Sequence, residues 1–467
     1  MPLTFWDVLD RAINTGEKLS PMEFDKKVWS TTSRILKEHP DIKYNPQTPV
    51  PTDESLADEI WEAALEAYLD LGTYCINTER VIKFSESEIK EGLSEVQSEV
   101  PIGAGNERKI ITLRKIGDKK PPVVIGGIIE SDIPEGEMFV KVYQSIAQEP
   151  LIDGFYVGPP LHTCEGRQMR VGSPFEIHQA KCVASWAREA VRRAGRPGLF
   201  LLLANPSAIA DIAACNPEWG IRPTDALAVP TTSELKTDFE SLGKVTHSLE
   251  YGGSGVNYSL TIIGGWAGGP EGSAIIATAS TIMGVMAHQM RGRPAYISPG
   301  ATMMTPSCYS PKPSLWSTGA TLQAVVRNSK IVTGKGAITA AGPGTEMQML
   351  EIAAIIIDWV ASGAAVAGGA GGVRRYKVKH LLGSGLENRW LAEVSYAAAG
   401  LKPDDANEIV NELLKKYEDR ITKEGGPWGH TFDEIYDVKT VTPRKEFLEL
   451  YDKVKKEMED LGLKFKR

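Results

Sequence analysis

Few side chains in this sequence have types and spacing that could do chemistry. Lys335 follows an apolar run and precedes Gly336, a place where an amine could condense with a carbonyl substrate as a Schiff base. His162, Cys164 and Glu165 are metal-binding residue types, but neighbouring loop positions without a second cluster make a poor coordination set. Gly252-Gly253-Ser254-Gly255 and Gly368-Gly369-Ala370-Gly371-Gly372 loosely resemble phosphate loops. Neither opens a helix behind a G-x-G-x-x-G pattern, so tight turns are the better reading. Arg374, Arg375, Lys377, Lys379 and His380 form a basic run that is either a solvated face or a contact for a partner. There is no G-x-x-x-x-G-K-[ST], no G-x-S-x-G and no H-E-x-x-H. These residues alone point to no single reaction.

The elements that must position them are clearer. Eight short apolar runs recur, at 123–125, 154–157, 199–203, 226–229, 245–249, 260–263, 295–297 and 329–332. Helical patterns separate most of them, at 135–148, 174–193, 206–214, 233–241, 273–290, 314–328 and 346–361. Strands without internal alternation, buried on both faces and joined by helices, predict a parallel sheet. Eight such units predict a (β/α)8 TIM barrel, an α/β fold, spanning 121–365. Residues 1–120 are expected to be a helical extension with a short hairpin near 101–119, and 366–467 a helical extension packed on the barrel. Catalysis in such a barrel belongs to the loops after the strands.

Of the 467 residues, 42% are hydrophobic and 24% charged, which excludes a disordered or disulfide-scaffold chain. A formal charge of −8 argues against a nucleic-acid surface. The N-terminus has no signal-peptide pattern, no apolar stretch approaches the ~20 residues of a membrane span, and the five cysteines contain no C-x-x-C pair. Together these features predict a cytoplasmic protein with free thiols and no membrane contact.

Longer stretches carry the argument further. In order they are Ala194-Gly195-Arg196-Pro197-Gly198, Glu234-Leu235-Lys236, Ile263-Gly264-Gly265-Trp266-Ala267-Gly268-Gly269, Ala341-Gly342-Pro343-Gly344-Thr345-Glu346-Met347 and Tyr436-Asp437-Val438-Lys439-Thr440-Val441-Thr442-Pro443, with Glu459-Asp460-Leu461-Gly462-Leu463 near the end. Pro51-Thr52-Asp53, Gly72-x-Tyr74-Cys75 and Gly117-Asp118-Lys119 precede them. Collinear over nearly the whole chain, they resemble the monomethylamine:corrinoid methyltransferases of methanogenic archaea. The resemblance implies a barrel enzyme, a homo-oligomer and in the family usually a hexamer. Such an enzyme moves a methyl group from a small methylated substrate to the Co(I) of a corrinoid protein. The chain lacks a D-x-H-x-x-G cobalt-ligand motif, so the corrinoid would arrive on that cognate partner.

The family's signature is a pyrrolysine that captures the amine, and the resemblance places Leu202 at its position. Ala228 and Tyr258 stand where the family has glutamates, Gly336 and Ile338 where it has glutamine and tyrosine. These departures predict a substrate other than monomethylamine, with a pre-activated donor such as a quaternary ammonium the easiest to support. Tyr258 and Trp266 are the leading candidates to face that cation, with Tyr251 and Trp316 behind them. His247 matches a family histidine and is read as either a proton donor or a structural residue. Glu346 matches the family too, although its place at a helix start gives it an ordinary reason to exist. Asn205, after the third strand, is a substrate-contact candidate or a helix N-cap. The rival readings are a lyase or aldolase built on Lys335, and an inactive binding protein for methylated metabolites.

Overall fold

The computed structural model describes residues 3–128, 133–158, 163–289, 294–372 and 383–465. Its centre is a ring of eight parallel strands: β1 (Val123–Ile128), β2 (Gly154–Val157), β3 (Phe200–Leu203), β4 (Ala226–Pro230), β5 (Ser254–Tyr258), β6 (Pro294–Ser298), β7 (Gly334–Thr339) and β8 (Val366–Gly372). Neighbours in sequence are neighbours in space, and β8 pairs with β1. Between β6 and β7 the ring is held by the Ile297 N–H, which donates to the Val332 carbonyl at 2.9 Å. The (β/α)8 barrel expected from the sequence is the fold observed.

Three of the runs expected to be strands lie elsewhere. Residues 245–249 belong to a helix, in which Val245 is buried and Leu249, four residues on, is exposed. Residues 261–263 form a short strand that pairs in parallel with Ala301–Met303 outside the barrel. Residues 329–332 only lead into β7. The fifth and eighth strands had been concealed by composition. β5 reads SGVNY and β8 reads VAGGAGG, glycine-rich segments that look like turns. In β8 the glycines answer a steric demand, since a Cβ on Gly368 would come within 2.8 Å of the Lys335 carbonyl and one on Gly369 within 2.8 Å of the Gly127 carbonyl. The barrel therefore extends beyond residue 365, to Gly372.

Helices surround the strands: α1 (Glu137–Ala147), α2 (Pro174–Arg193), α3 (Ala208–Ala214), α4 (Phe239–Tyr251), α5 (Pro270–Met286), α6 (Lys312–Asn328), α7 (Glu346–Ala361) and α8 (Gly385–Ala397). The last, expected in the C-terminal extension, packs on β1, β8 and α1 and completes the outer layer. Helices at Pro21–Glu38 and Glu54–Leu71 cover α5 and α6, and helices at Pro403–Glu424 and Lys445–Asp460 cover α7. An antiparallel hairpin, Glu99–Ile102 with Lys109–Thr112, plugs the N-terminal end of the barrel with Val100, Ile102 and Ile111. Arg196 clamps the plug by donating to Glu107 and to the carbonyls of Ala147, Glu149 and Ile152. A Cβ on Gly198 would meet the Ala104 carbonyl at 2.0 Å, so the Arg-Pro-Gly motif is a seat for this plug.

One buried acid in the outer layer makes stability depend on pH. Glu351 of α7 accepts from the N–H groups of Ala340 and Ala341 and from the Ser310 hydroxyl, and burial pushes its pKa up to about 7 from 4.5. Ionisation thus costs the native state more than the unfolded one. Stability from this residue is fully present below the unfolded value and declines as pH rises toward 7, by about 3 kcal/mol. Glu351→Gln is expected to flatten that part of the stability profile, as read by denaturant unfolding at a series of pH values.

Candidate active site at the barrel mouth

Interior-facing strand residues make a core separate from the layer under the helices. It contains Ile125, Phe200, Leu202, Ala226, Ala228, Val256, Tyr296 and Val366, with Tyr156 and Tyr258 packed against them. Leu202 is fully buried on β3, flanked in register by Tyr156 of β2 and Ala226 of β4. Ala228 lies beside Val256, which in turn lies beside Tyr296. No carboxylate or amine stands at any of these positions, and Leu202 itself offers no group for covalent chemistry.

Above that floor the aromatic residues converge. The Tyr258 ring sits edge-to-face with Tyr156 (centroids 6.5 Å apart, planes at 87°) and with Tyr296 (6.4 Å, 80°). The Tyr258 and Tyr296 hydroxyls are 3.3 Å apart. Burial, followed by the neighbouring Tyr296, pushes the Tyr258 phenol well above its ordinary value, and burial pushes Tyr296 to about 12. Both stay neutral, and they present π-electron density rather than phenolate charge. Tyr258 is thus perpendicular to each of its two neighbours, and aromatic faces of this kind are the surfaces to which a cation is drawn. Tyr258 was anticipated from the sequence, whereas Tyr156 and Tyr296 were missed. Their strand runs show no alternation, so inward and outward residues could not be told apart before the register was known.

The strand end carrying Leu202 is held by buried charge. Asn205, next after β3 and Ala204, donates from its backbone N–H (3.0 Å) and its Nδ2 (2.7 Å) to Asp211 of α3. Lys244 of α4 donates to the Asn205 carbonyl at 2.6 Å and pairs with Asp211 at 2.8 Å, both side chains at 1% exposure or less. On the other side, Asp225 accepts from the Leu201 N–H at 3.0 Å and pairs with buried Arg188. Asn205 is therefore a positioning residue. It is not the helix cap, which is Ser207.

Other expectations need correction. His247 lies on α4 and not at a strand end, stacked on Tyr251 at 5.3 Å. The Tyr251 hydroxyl donates to the Ile221 carbonyl, ahead of β4, so both rings sit at the end of the barrel opposite the mouth. Trp316 is buried against Tyr44 in the helical layer, 5.5 Å edge-to-face, and cannot line the lumen. Glu346 begins α7 and forms a surface ion pair with Lys453 at 2.7 Å. Ile338 packs in the outer core, away from Leu202, while Gly336 is a partly buried residue of β7 beside Gly368. Trp266 is 38% exposed, in the turn after the short strand Thr261–Ile263, where Glu234 receives the Ile262 N–H. It belongs to the rim rather than the floor.

Cys164 and Glu165 stand on a small hairpin, with Glu165 3.1 Å from His178. Among the described residues no group of three or more His, Cys, Asp and Glu is arranged to hold a metal. His162 and the basic run at 374–380 lie outside the described residues. Among those described, no helix is long and apolar enough to cross a membrane. Lys335 is a different case: a fully buried amine that packs over the Tyr309 ring at 4.6 Å.

Comparison with known proteins adds an independent line. A family model described as monomethylamine methyltransferase MtmB matches residues 3–463. Relatives include monomethylamine methyltransferase MtmB2 of Methanosarcina acetivorans, 31% identical over 470 residues, and MtmB of Methanosarcina mazei, 30% identical over 465 residues; each comparison covers 98% of both chains. The crystal structure of the Methanosarcina barkeri monomethylamine methyltransferase superposes with a TM-score of 0.90 at 29% identity, covering 99% of this chain and 98% of that one. A crystal structure of the hydroxylamine MtmB complex agrees equally well.

Proposed function

The chain belongs to the monomethylamine methyltransferase MtmB family and is a methyltransferase, and from that premise we propose that it moves a methyl group from a quaternary ammonium donor to the Co(I) of a corrinoid carried by a separate cognate protein. The observation that carries the choice of donor is the pairing of an inert Leu202 floor with the Tyr156–Tyr258–Tyr296 aromatic cluster above it. Leu202 takes the place of the family's covalent amine trap, and a leucine has no electrophile with which to hold monomethylamine. A quaternary ammonium needs no such trap. When cobalt attacks its methyl carbon, the carbon–nitrogen bond breaks and the electron pair leaves with nitrogen as a neutral tertiary amine. No proton has to be delivered, and among the described residues no carboxylic acid stands at the strand positions around Leu202.

The tyrosines have two tasks in this reading. Their ring faces attract the cation, and their rigidity holds one methyl group toward the C-terminal end of the barrel strands. Around that end Val171, Phe175, Ile209, Phe239, Trp266 and Met304 are exposed apolar side chains, a rim suited to transient contact with a partner domain. Mixing the protein with a Co(I)-loaded corrinoid protein and a panel of methyl donors tests the proposal. Growth of methyl-Co(III) absorbance is expected with a tetraalkylammonium donor and none above background with monomethylamine. Sustained turnover of monomethylamine would overturn it.

A further inference from the structure

The fully buried Lys335 has no role in the chemistry above, yet its surroundings are unusual. It is 3% exposed, burial alone depresses its pKa to about 7, and among the described residues no carboxylate pairs with it. Its Nζ has the Ser259 carbonyl at a long 3.4 Å and the Tyr309 ring at 4.6 Å. A Cβ at Gly300 would lie 2.9 Å from Nζ, so glycine keeps that side of the amine clear. Two buried hydroxyls nearby, Ser259 Oγ and Ser298 Oγ, have no hydrogen-bond partner among the described residues. Ser259 and Ser298 are adjacent, the N–H of one donating to the carbonyl of the other at 3.1 Å, and Ser298 lies in register with Tyr258 on the interior face.

These donors thus gather beside the aromatic cluster, and among the described residues the long contact from Lys335 to the Ser259 carbonyl is the one acceptor they have. A buried lysine of this kind gives up its proton unless an anion joins it, because an isolated ammonium out of water is costly. We propose that Lys335, Ser259 and Ser298 form a carboxylate subsite adjoining the tyrosine cage, so that the methyl donor is a zwitterion, a quaternary ammonium carboxylate. This rests on the cationic-donor reading. The tyrosines hold the positive end, and the charge-assisted hydrogen bonds of the subsite hold the negative end. Binding restores the proton on Lys335, so above neutral pH the carboxylate enters with uptake of a proton from solution.

The test is calorimetric titration of the whole protein at about pH 8, in two buffers of different ionisation enthalpy. The ligands are N,N,N-trimethylglycine and its alcohol counterpart, (2-hydroxyethyl)trimethylammonium. The carboxylate is expected to bind about tenfold more tightly, with uptake approaching one proton, and the alcohol with none. Lys335→Met should abolish both the preference and the proton uptake while leaving the alcohol's affinity in place. If that variant does not fold, Ser259→Ala with Ser298→Ala should reduce the preference several-fold. Equal affinity for the two cations, or unchanged proton uptake in the variants, would overturn the subsite and leave the cage standing. Binding of neither cation, with methyl transfer from an uncharged donor, would instead overturn the cationic reading itself.

Discussion

Tyr258→Ala is expected to lower kcat/KM for a quaternary ammonium donor by about 30-fold, the equivalent of a desolvated cation–π contact of about 2 kcal/mol. Tyr258 is the shared member of both edge-to-face pairs. Its loss removes a ring face and frees Tyr156 and Tyr296 to reorient. Tyr258→Phe keeps the ring and gives up only the 3.3 Å hydroxyl contact with Tyr296. It should therefore stay within a few-fold of the parent, because a neutral hydrogen bond contributes about 1 kcal/mol. A phenylalanine variant as impaired as the alanine one would mean that the hydroxyl acts on the substrate directly, and the cage argument would fail. Initial rates of methyl-Co(III) formation at subsaturating donor measure both.

Lys244→Met is expected to destabilise the fold by roughly 3–5 kcal/mol, the usual penalty for stranding one partner of a buried ion pair. Asp211 is entirely buried, and burial already pushes its carboxyl upward against the opposing pull of Lys244. Without that cation the acid must take up a proton or remain charged in an apolar layer. The double variant Lys244→Met with Asp211→Asn should recover a large part of the loss, since no stranded charge remains. Guanidinium unfolding of the single and double variants decides the matter, and equal loss in both would show that packing rather than charge dominates. The change should also reach the site. Asn205 is tied to both residues and follows closely on the strand that bears Leu202, so a loosened β3 end should raise KM before stability fails.

Much of the barrel was legible without coordinates because hydrophobic runs and helical periodicity are local properties. Runs such as FLLL on β3 are apolar at every position, so burial on both faces could be read directly. The eighth strand could not, because its glycines are there to admit neighbouring backbones. A requirement imposed by close approach leaves a signature identical to that of a flexible loop. The motif at Arg196-Pro197-Gly198 carried the resemblance to the family, yet what it does is seat the hairpin plug at the end of the barrel away from the mouth. The segment Glu234-Leu235-Lys236 likewise ties the N-terminal layer to the barrel, through the Tyr74 N–H to the Leu235 carbonyl and the Lys236–Asp25 ion pair. A framework motif can thus point to the right family without marking the chemistry.

The sequence by itself determined the repeating strand–helix plan and the family, and it is the resemblance to that family that sets Leu202 against the position of the reactive residue. These follow from residue identity and spacing along the chain. Only the tertiary structure decided which aromatics face the lumen, moving Tyr251, Trp316 and His247 out of the site and bringing Tyr156 and Tyr296 into it. Only the structure, too, left Lys335 buried with no acid beside it among the described residues. The reason is geometric: the direction of a strand side chain depends on register and barrel stagger, which are set by long-range pairing that no local pattern records.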